Sequence, residues 1–229
     1  MLSLHCAQHR KHRLLRVEVQ GEGHTSMVRH RFDGHSGDGY HGNRHQNGTL
    51  VERSPGSAQA SELPLGIRKA RSADAAAIAA IYNEGIAGRM ATFEIRERAA
   101  SDVAAWFDDE RYPRLVAERD GRVVGWITAS AYRPRDCYSG IAEFSVYVTS
   151  TERGRRVGDA LMAAFLPACE AAGFWKVLSR IFPENAASRA LCTRHGFREV
   201  GMYERHARLD GVWRDVVIVE RLLAPVVTP

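Results

Sequence analysis

The stretch EFSVYVTSTERGRRVGDAL, residues 143–161, decides the architecture. Its first six residues alternate like a strand, with Glu143, Ser145 and Tyr147 on one face and Phe144, Val146 and Val148 on the other. From Val157 the apolar positions change to helical spacing, through Leu161, Ala164, Phe165 and Ala168. Between the two lies a loop holding Arg153, Gly154, Arg155 and Arg156, with Gly158 and Asp159 in the first helical turn. The unpaired N–H groups and the dipole of a helix start suit a phosphate anion there. The glycines allow close backbone approach and the arginines add charge. By itself such a loop also serves as a plain connector.

Working outward, IRKA (67–70) reads as a strand, and Asp74 opens a helix with Ile78, Ile81, Tyr82 and Ile86 on one face, closed by Gly88. Residues 101–110 form a second short helix. RLVAERDGRVVGWITAS gives two strands about Asp120-Gly121, a hairpin signal, and the strand at 141–148 follows. After the helix at 157–172 come a strand (175–182), a helix (185–195) and two strands (197–208 and 212–222). Pro167 removes a helical donor and predicts a kink or an early break. The order predicts one α/β domain over 66–223, a mixed, mostly antiparallel sheet flanked by helices, with a short tail at 224–229.

A second segment carries chemical information. Asn185 caps a helix, Ser188 follows three residues on, and the run continues through Leu191 to Gly196 and Phe197. In order and spacing, the two segments together resemble the GNAT superfamily of N-acetyltransferases. The resemblance implies an acetyl-CoA pyrophosphate site at Arg153–Asp159 and a second CoA-contacting helix at Asn185 and Ser188. The superfamily's loop usually reads R/Q-x-x-G-x-G, and here Arg156 stands at the middle glycine.

A finer resemblance covers residues 67–223. IYNEGI (81–86), ATFE (91–94), RYPRLVAE (111–118), AYRPRDCYSGIAEFSVYV (131–148) and DGVWRDV (210–216) are similar to the phosphinothricin acetyltransferase branch. That branch includes enzymes acting on arsinothricin and on methionine sulfone or sulfoximine. The likeness implies acetyl-CoA as co-substrate, acylation of the α-amino group of a small amino-acid-like toxin, resistance to it, and a homodimer. It places the general base at Glu143, where desolvation beside Phe144 and Tyr147 suits a carboxylate to base work. It gives the main chain of Val146, Tyr147 and Val148 to the pantetheine arm. The implied substrate residues are Phe93, Glu94, Arg133, Arg135 and Tyr138, since arginine forks match two-oxygen anions. Many superfamily members place a tyrosine where this chain has Cys192, so that general acid is missing and Cys192 reads as a packing residue. Protein N-termini or polyamines are the alternative substrates, and a non-catalytic acyl-CoA-binding module is the alternative class.

Composition narrows the field. The chain of 229 residues carries 32 Lys/Arg against 27 Asp/Glu. Eight of those cations and six of the anions precede residue 67, leaving 24 and 21 beyond, so neither part concentrates basic charge for nucleic acid. No apolar run suits a membrane span, and no secretory signal opens the chain. Four cysteines without C-x-x-C pairing predict a reducing, cytoplasmic setting and no metal. Eight of the ten histidines lie before residue 50, in a Gly- and His-rich segment (1–63) that lacks a core and is expected to be disordered, or to reflect a mis-assigned start.

Overall fold

The computed structural model describes residues 64–223; the expectations for residues 1–63, including the histidine-rich segment, and for the tail at 224–229 lie outside them. In chain order the elements are β1 (Gly66–Lys69), α1 (Ala75–Ala87), α2 (Ala100–Ala104), β2 (Arg114–Arg119), β3 (Arg122–Ala131), β4 (Ile141–Val148), α3 (Val157–Ala171), β5 (Lys176–Ile181), α4 (Ala186–Arg194), β6 (Arg198–Leu209) and β7 (Val212–Leu222). Seven strands form one sheet in the order β1-β2-β3-β4-β5-β7-β6, antiparallel except where β4 meets β5. This is the mixed, mostly antiparallel α/β architecture that the residue pattern predicts.

Strand alternation sorts the side chains into two layers of core. Ala117, Ile127, Ala129, Ala142 and Phe144 pack with α3 and with Leu191 and Cys192 of α4. Val116 and Trp126, one residue out of phase, pack with Ile78 and Ile81 of α1 and Val103 of α2, and Tyr147 joins that cluster. The helices therefore cover both faces, α1 and α2 on one and α3 and α4 on the other. The hairpins turn through Asp120-Gly121 (φ 54° and 71°) and Asp210-Gly211 (φ 49° and 82°). Both central residues are left-handed, as a tight hairpin whose twist matches its strands requires.

Of the kink or early break expected at Pro167, the break does not occur. Helix α3 runs unbroken from Val157 to Ala171 with Pro167 inside it. Phe165, Leu166 and Cys169, on either side of the proline, are all buried in the core, and this burial offsets the cost of one missing donor. Asp74, at the start of α1, accepts from Arg71 N (2.8 Å) and holds both Arg68 amino groups (2.8 and 2.9 Å). The Arg68 guanidinium, hydrogen-bonded to it, keeps the Asp74 carboxyl below its usual range.

Candidate active site

The site begins where the sheet opens. Strands β4 and β5 pair only over Ile141↔Lys176, Ala142↔Val177 and Glu143↔Leu178. Past Glu143 the two part: β4 continues against β3 as far as Val148, and β5 continues against β7. Among the described residues, the β4 edge from Phe144 to Val148 that faces β5 carries no strand partner beyond this point. A cleft fills the gap, lined by Glu143, Val146, Tyr147, Arg180, Asn185, Ser188 and Cys192 among others.

One end of the cleft leads to the phosphate-loop candidate. Glu84 of α1 fixes the turn after β4, accepting from Thr149 Oγ1 (2.8 Å) and Ser150 N (2.7 Å). Buried Glu152 takes Arg155 at 2.9 Å and faces Arg119 at 3.6 Å. Arg153 and Arg156 are exposed. Among the described residues no side chain caps α3, whose N-cap is Arg156 in the left-handed region (φ 61°, ψ 14°). An L-residue pays about 1–2 kcal/mol for that conformation. Asp159, in the first turn, pairs with Arg194 (2.9 Å) and His195 (3.3 Å), and Arg194 above all lowers its carboxyl below the usual range. Replacement of Arg156 by glycine relieves the backbone strain, less what a freer unfolded chain costs, for a net gain of about 0.5–1 kcal/mol. Thermal melts of Arg156→Gly check this; a lower Tm would show that the side chain itself holds the loop.

Toward the middle of the cleft, Asn185 Oδ1 accepts from Ser188 N (3.1 Å), and its Nδ2 donates to Met90 O (3.0 Å). The cap thus also ties the segment after α1 across the cleft. Tyr147 OH donates to Ala91 O (3.2 Å), and its ring stacks on Trp126 (4.8 Å between centroids). Cys192 is 2% exposed, and burial pushes its thiol up to about 12. It is a neutral packing group, as its surroundings in the sequence suggest. Cys192→Ser is expected to keep turnover within about threefold, because a protonated thiol is no nucleophile. A loss of a hundredfold in steady-state assays would contradict that.

The other end surrounds Glu143. β4 is the central strand of the sheet, not an edge, and the Glu143 side chain is 14% exposed. The desolvated apolar setting expected for it is not what the structure shows. Arg180 of β5 forks onto the carboxylate, Nε at 2.8 Å and Nη2 at 2.5 Å from Oε1, with Nη2 also reaching Oε2. Residue spacing alone missed Arg180. An arginine inside the strand run VLSRIF (177–182), whose other residues except Ser179 are apolar, was the available signal.

Phe93 stands edge-on to Phe182 (4.9 Å) and near His206 (6.1 Å), which packs on Tyr203 (5.5 Å). His206 is also within electrostatic reach of Arg180 and Glu143. Partial burial first, then Arg180, lowers its pKa. Of the other substrate candidates, Glu94 pairs with Arg98 at 2.6 Å. Arg133 lies over the Tyr132 ring (5.2 Å). Tyr138 meets Tyr132 edge-on (5.8 Å). Arg135 precedes the turn Asp136–Tyr138, its carbonyl accepting from Tyr138 N (2.9 Å). The structure therefore gathers Phe93, Glu143, Arg180 and His206 closely, and sets Arg133 and Tyr138 on the flanking loop.

Comparison with known proteins gives the family. The acetyltransferase (GNAT) family matches residues 78–197. The chain is 32% identical over 163 residues to an L-methionine sulfoximine/L-methionine sulfone acetyltransferase of Pseudomonas aeruginosa, covering 69% of this chain and 95% of that one. A GNAT superfamily phosphinothricin acetyltransferase from Sinorhizobium meliloti, crystallised with acetyl-CoA, superposes with a TM-score of 0.67 at 30% identity, covering 72% of this chain and 92% of that chain. The crystal structure of a ribosomal-protein-alanine N-acetyltransferase from Brucella melitensis superposes with a TM-score of 0.66 at 31% identity, covering 69% and 99%. The chain belongs to the GNAT acetyltransferase family and is an acyltransferase. Its fold is that of the family, and its cleft lies where β4 and β5 part.

Proposed function

We propose that this enzyme transfers the acetyl group of acetyl-CoA to the α-amino group of a small amino-acid-like toxin of the phosphinothricin, arsinothricin or methionine sulfoximine type, conferring resistance to it. One observation carries the reading: the half-buried carboxylate of Glu143 stands at the strand divergence, in the same cleft as Asn185 and Ser188, while β4 leads directly from it to the uncapped start of α3. Relatives named for phosphinothricin and methionine sulfoximine support the substrate class.

In this reading the loop Arg153, Gly154, Arg155, Arg156, Val157, Gly158 and Asp159 receives the CoA pyrophosphate on backbone N–H groups, with the arginines supplying charge. The unpartnered edge at Val146, Tyr147 and Val148 receives the pantetheine arm as an added strand and donates to the thioester carbonyl. Asn185 and Ser188 flank that arm. Glu143 takes a proton from the substrate ammonium, and the freed amine attacks the thioester carbon. The C–S bond then breaks, CoA leaves as its thiolate, and the second proton on the new amide nitrogen passes to that thiolate. No acid stands at Cys192 to protonate it. Phe93, Tyr138, Arg133 and Arg135, with Glu94 bracing the loop through Arg98, form the acceptor side.

Two further features belong to the proposal. The β6–β7 hairpin exposes Val200, Met202 and Tyr203 near the start of β6, the edge strand, and Val212 and Trp213 at its tip, apolar surface that supports a homodimer. Buried, unpaired Cys169 and Cys192 support a reducing, cytoplasmic setting.

A thiol-release assay with phosphinothricin, arsinothricin, methionine sulfoximine and N-terminal peptides tests the substrate class. Turnover confined to peptides would overturn it. Arg133→Ala is expected to raise KM about tenfold for acid-headed substrates, the loss of one charge-assisted contact. An equal loss for every amine would remove Arg133 from head-group recognition. Arg156→Gly is expected to raise the Kd for acetyl-CoA about fivefold in titrations, opposite in sense to its effect on Tm.

A further inference from the structure

The ion pair at the centre of the cleft does not suit a base at rest. Arg180 engages both oxygens of Glu143, and the pair sits where the two strands separate, with side chains 27% and 14% exposed. With both oxygens occupied by the guanidinium fork, the carboxylate has its acceptor positions filled before any ammonium arrives. The strands have other ties besides this pair: the β4–β5 register runs as far as Glu143↔Leu178, and Ser179 Oγ donates to Phe144 O (3.0 Å) just beyond it. Arg180 also lies on the acceptor side. It lines the cleft with Phe182, whose ring carries Arg214 at 4.6 Å and Phe93 at 4.9 Å, and His206 is within its electrostatic reach. Arg214 is engaged with Glu184 at 3.2 Å. Arg180 is thus the cation beside the base whose only carboxylate partner among the described residues is that base.

Accepting the acetylation of small amino-acid-like substrates proposed above, we infer that Arg180 is the receptor for the substrate's free α-carboxylate and that the incoming carboxylate displaces Glu143 from it. The two groups of an α-amino acid sit on one carbon. A carboxylate that takes over the guanidinium fork therefore delivers its own amine to the oxygen it has just released. Arg180 holds Glu143 inactive in the empty enzyme and frees it only for a ligand carrying both groups. Peptide N-termini, whose α-carboxyl is an amide, and polyamines, which carry none, leave the pair closed. The same residue that quiets the base selects free amino acids.

Two measurements test this. In turnover with acetyl-CoA, the wild-type enzyme is expected to favour phosphinothricin over its α-carboxamide at least a hundredfold in kcat/KM. Arg180→Met should lose about a hundredfold with the acid yet keep or gain rate with the carboxamide, so that the preference collapses, and Arg180→Lys should fall between. Equal losses on both substrates would show a merely structural role and overturn the inference. Melting temperature and acetyl-CoA binding establish that each variant is folded.

The second measurement needs no turnover. Binding of glutarate, a carboxylate without an amine, is followed by titration. Glu143→Gln removes the internal competitor and is expected to bind glutarate about tenfold tighter than wild type, while Arg180→Met binds none. Equal or weaker binding to Glu143→Gln would overturn the inference whatever the substrate. If no free amino acid is acetylated but the glutarate pattern holds, the proposed substrate class fails and the exchange at Arg180 stands.

Discussion

Glu143→Gln is expected to lower kcat by a hundred- to ten-thousandfold, with the Kd for acetyl-CoA within about twofold of wild type. Glutamine keeps the shape of the side chain and one acceptor oxygen, but it cannot take up a proton at neutral pH. The separation of the two effects follows from position. Glu143 sits at the last β4–β5 pair, whereas the uncapped helix start and the arginines lie beyond the far end of β4. Steady-state kinetics with a saturating amine, paired with direct titration of acetyl-CoA, checks the result. Unchanged turnover would remove Glu143 as the base, and an equal collapse of acetyl-CoA affinity would mean that the substitution deforms the cleft.

Gly85→Val is expected to destabilise the protein by about 3 kcal/mol, a fall in Tm of about 6–12 °C for a domain of this size. A Cβ at Gly85 would lie 2.5 Å from Cε1 and 2.6 Å from Cδ1 of Tyr147. That ring cannot step aside. It stacks on Trp126 at 4.8 Å and meets Tyr82 at 4.9 Å, and its hydroxyl donates to Ala91 O. Valine adds a branch inside helix α1 as well, where its χ1 freedom is reduced. Because Tyr147 also lines the cleft, the variant should bind acetyl-CoA more weakly even at temperatures where it is folded. A thermal melt and a titration at low temperature read the two effects separately. A change under 1 kcal/mol would show that Tyr147 has room the packing does not suggest.

Much of this molecule was legible in its residues. The shift from strand alternation at 143–148 to helical spacing from Val157 located β4 and α3 within a residue. Asp120-Gly121 located a hairpin, and Asn185 with Ser188 located the start of α4, where the cap hydrogen bond is formed. These are local signals: each depends on neighbours within one turn of chain, and long-range contacts had only to agree. Pro167 shows the limit of such reasoning. Its local cost is real, but burial of Phe165, Leu166 and Cys169 outweighs it. The placement of Glu143 on a face with Ser145 and Tyr147 was also readable, since alternation fixes it.

The sequence by itself determined the element order, the phosphate-loop candidate and the carboxylate that faces the cleft, because period, capping and turn chemistry are properties of contiguous residues. Only the tertiary structure decided that β4 and β5 separate after Glu143, that Arg156 takes a left-handed conformation, and that Arg180 closes on Glu143 across 37 positions of chain. Those facts arise from the register of strands distant in sequence. One residue of slip in that register would turn Arg180 to the opposite face, and no local pattern records the choice.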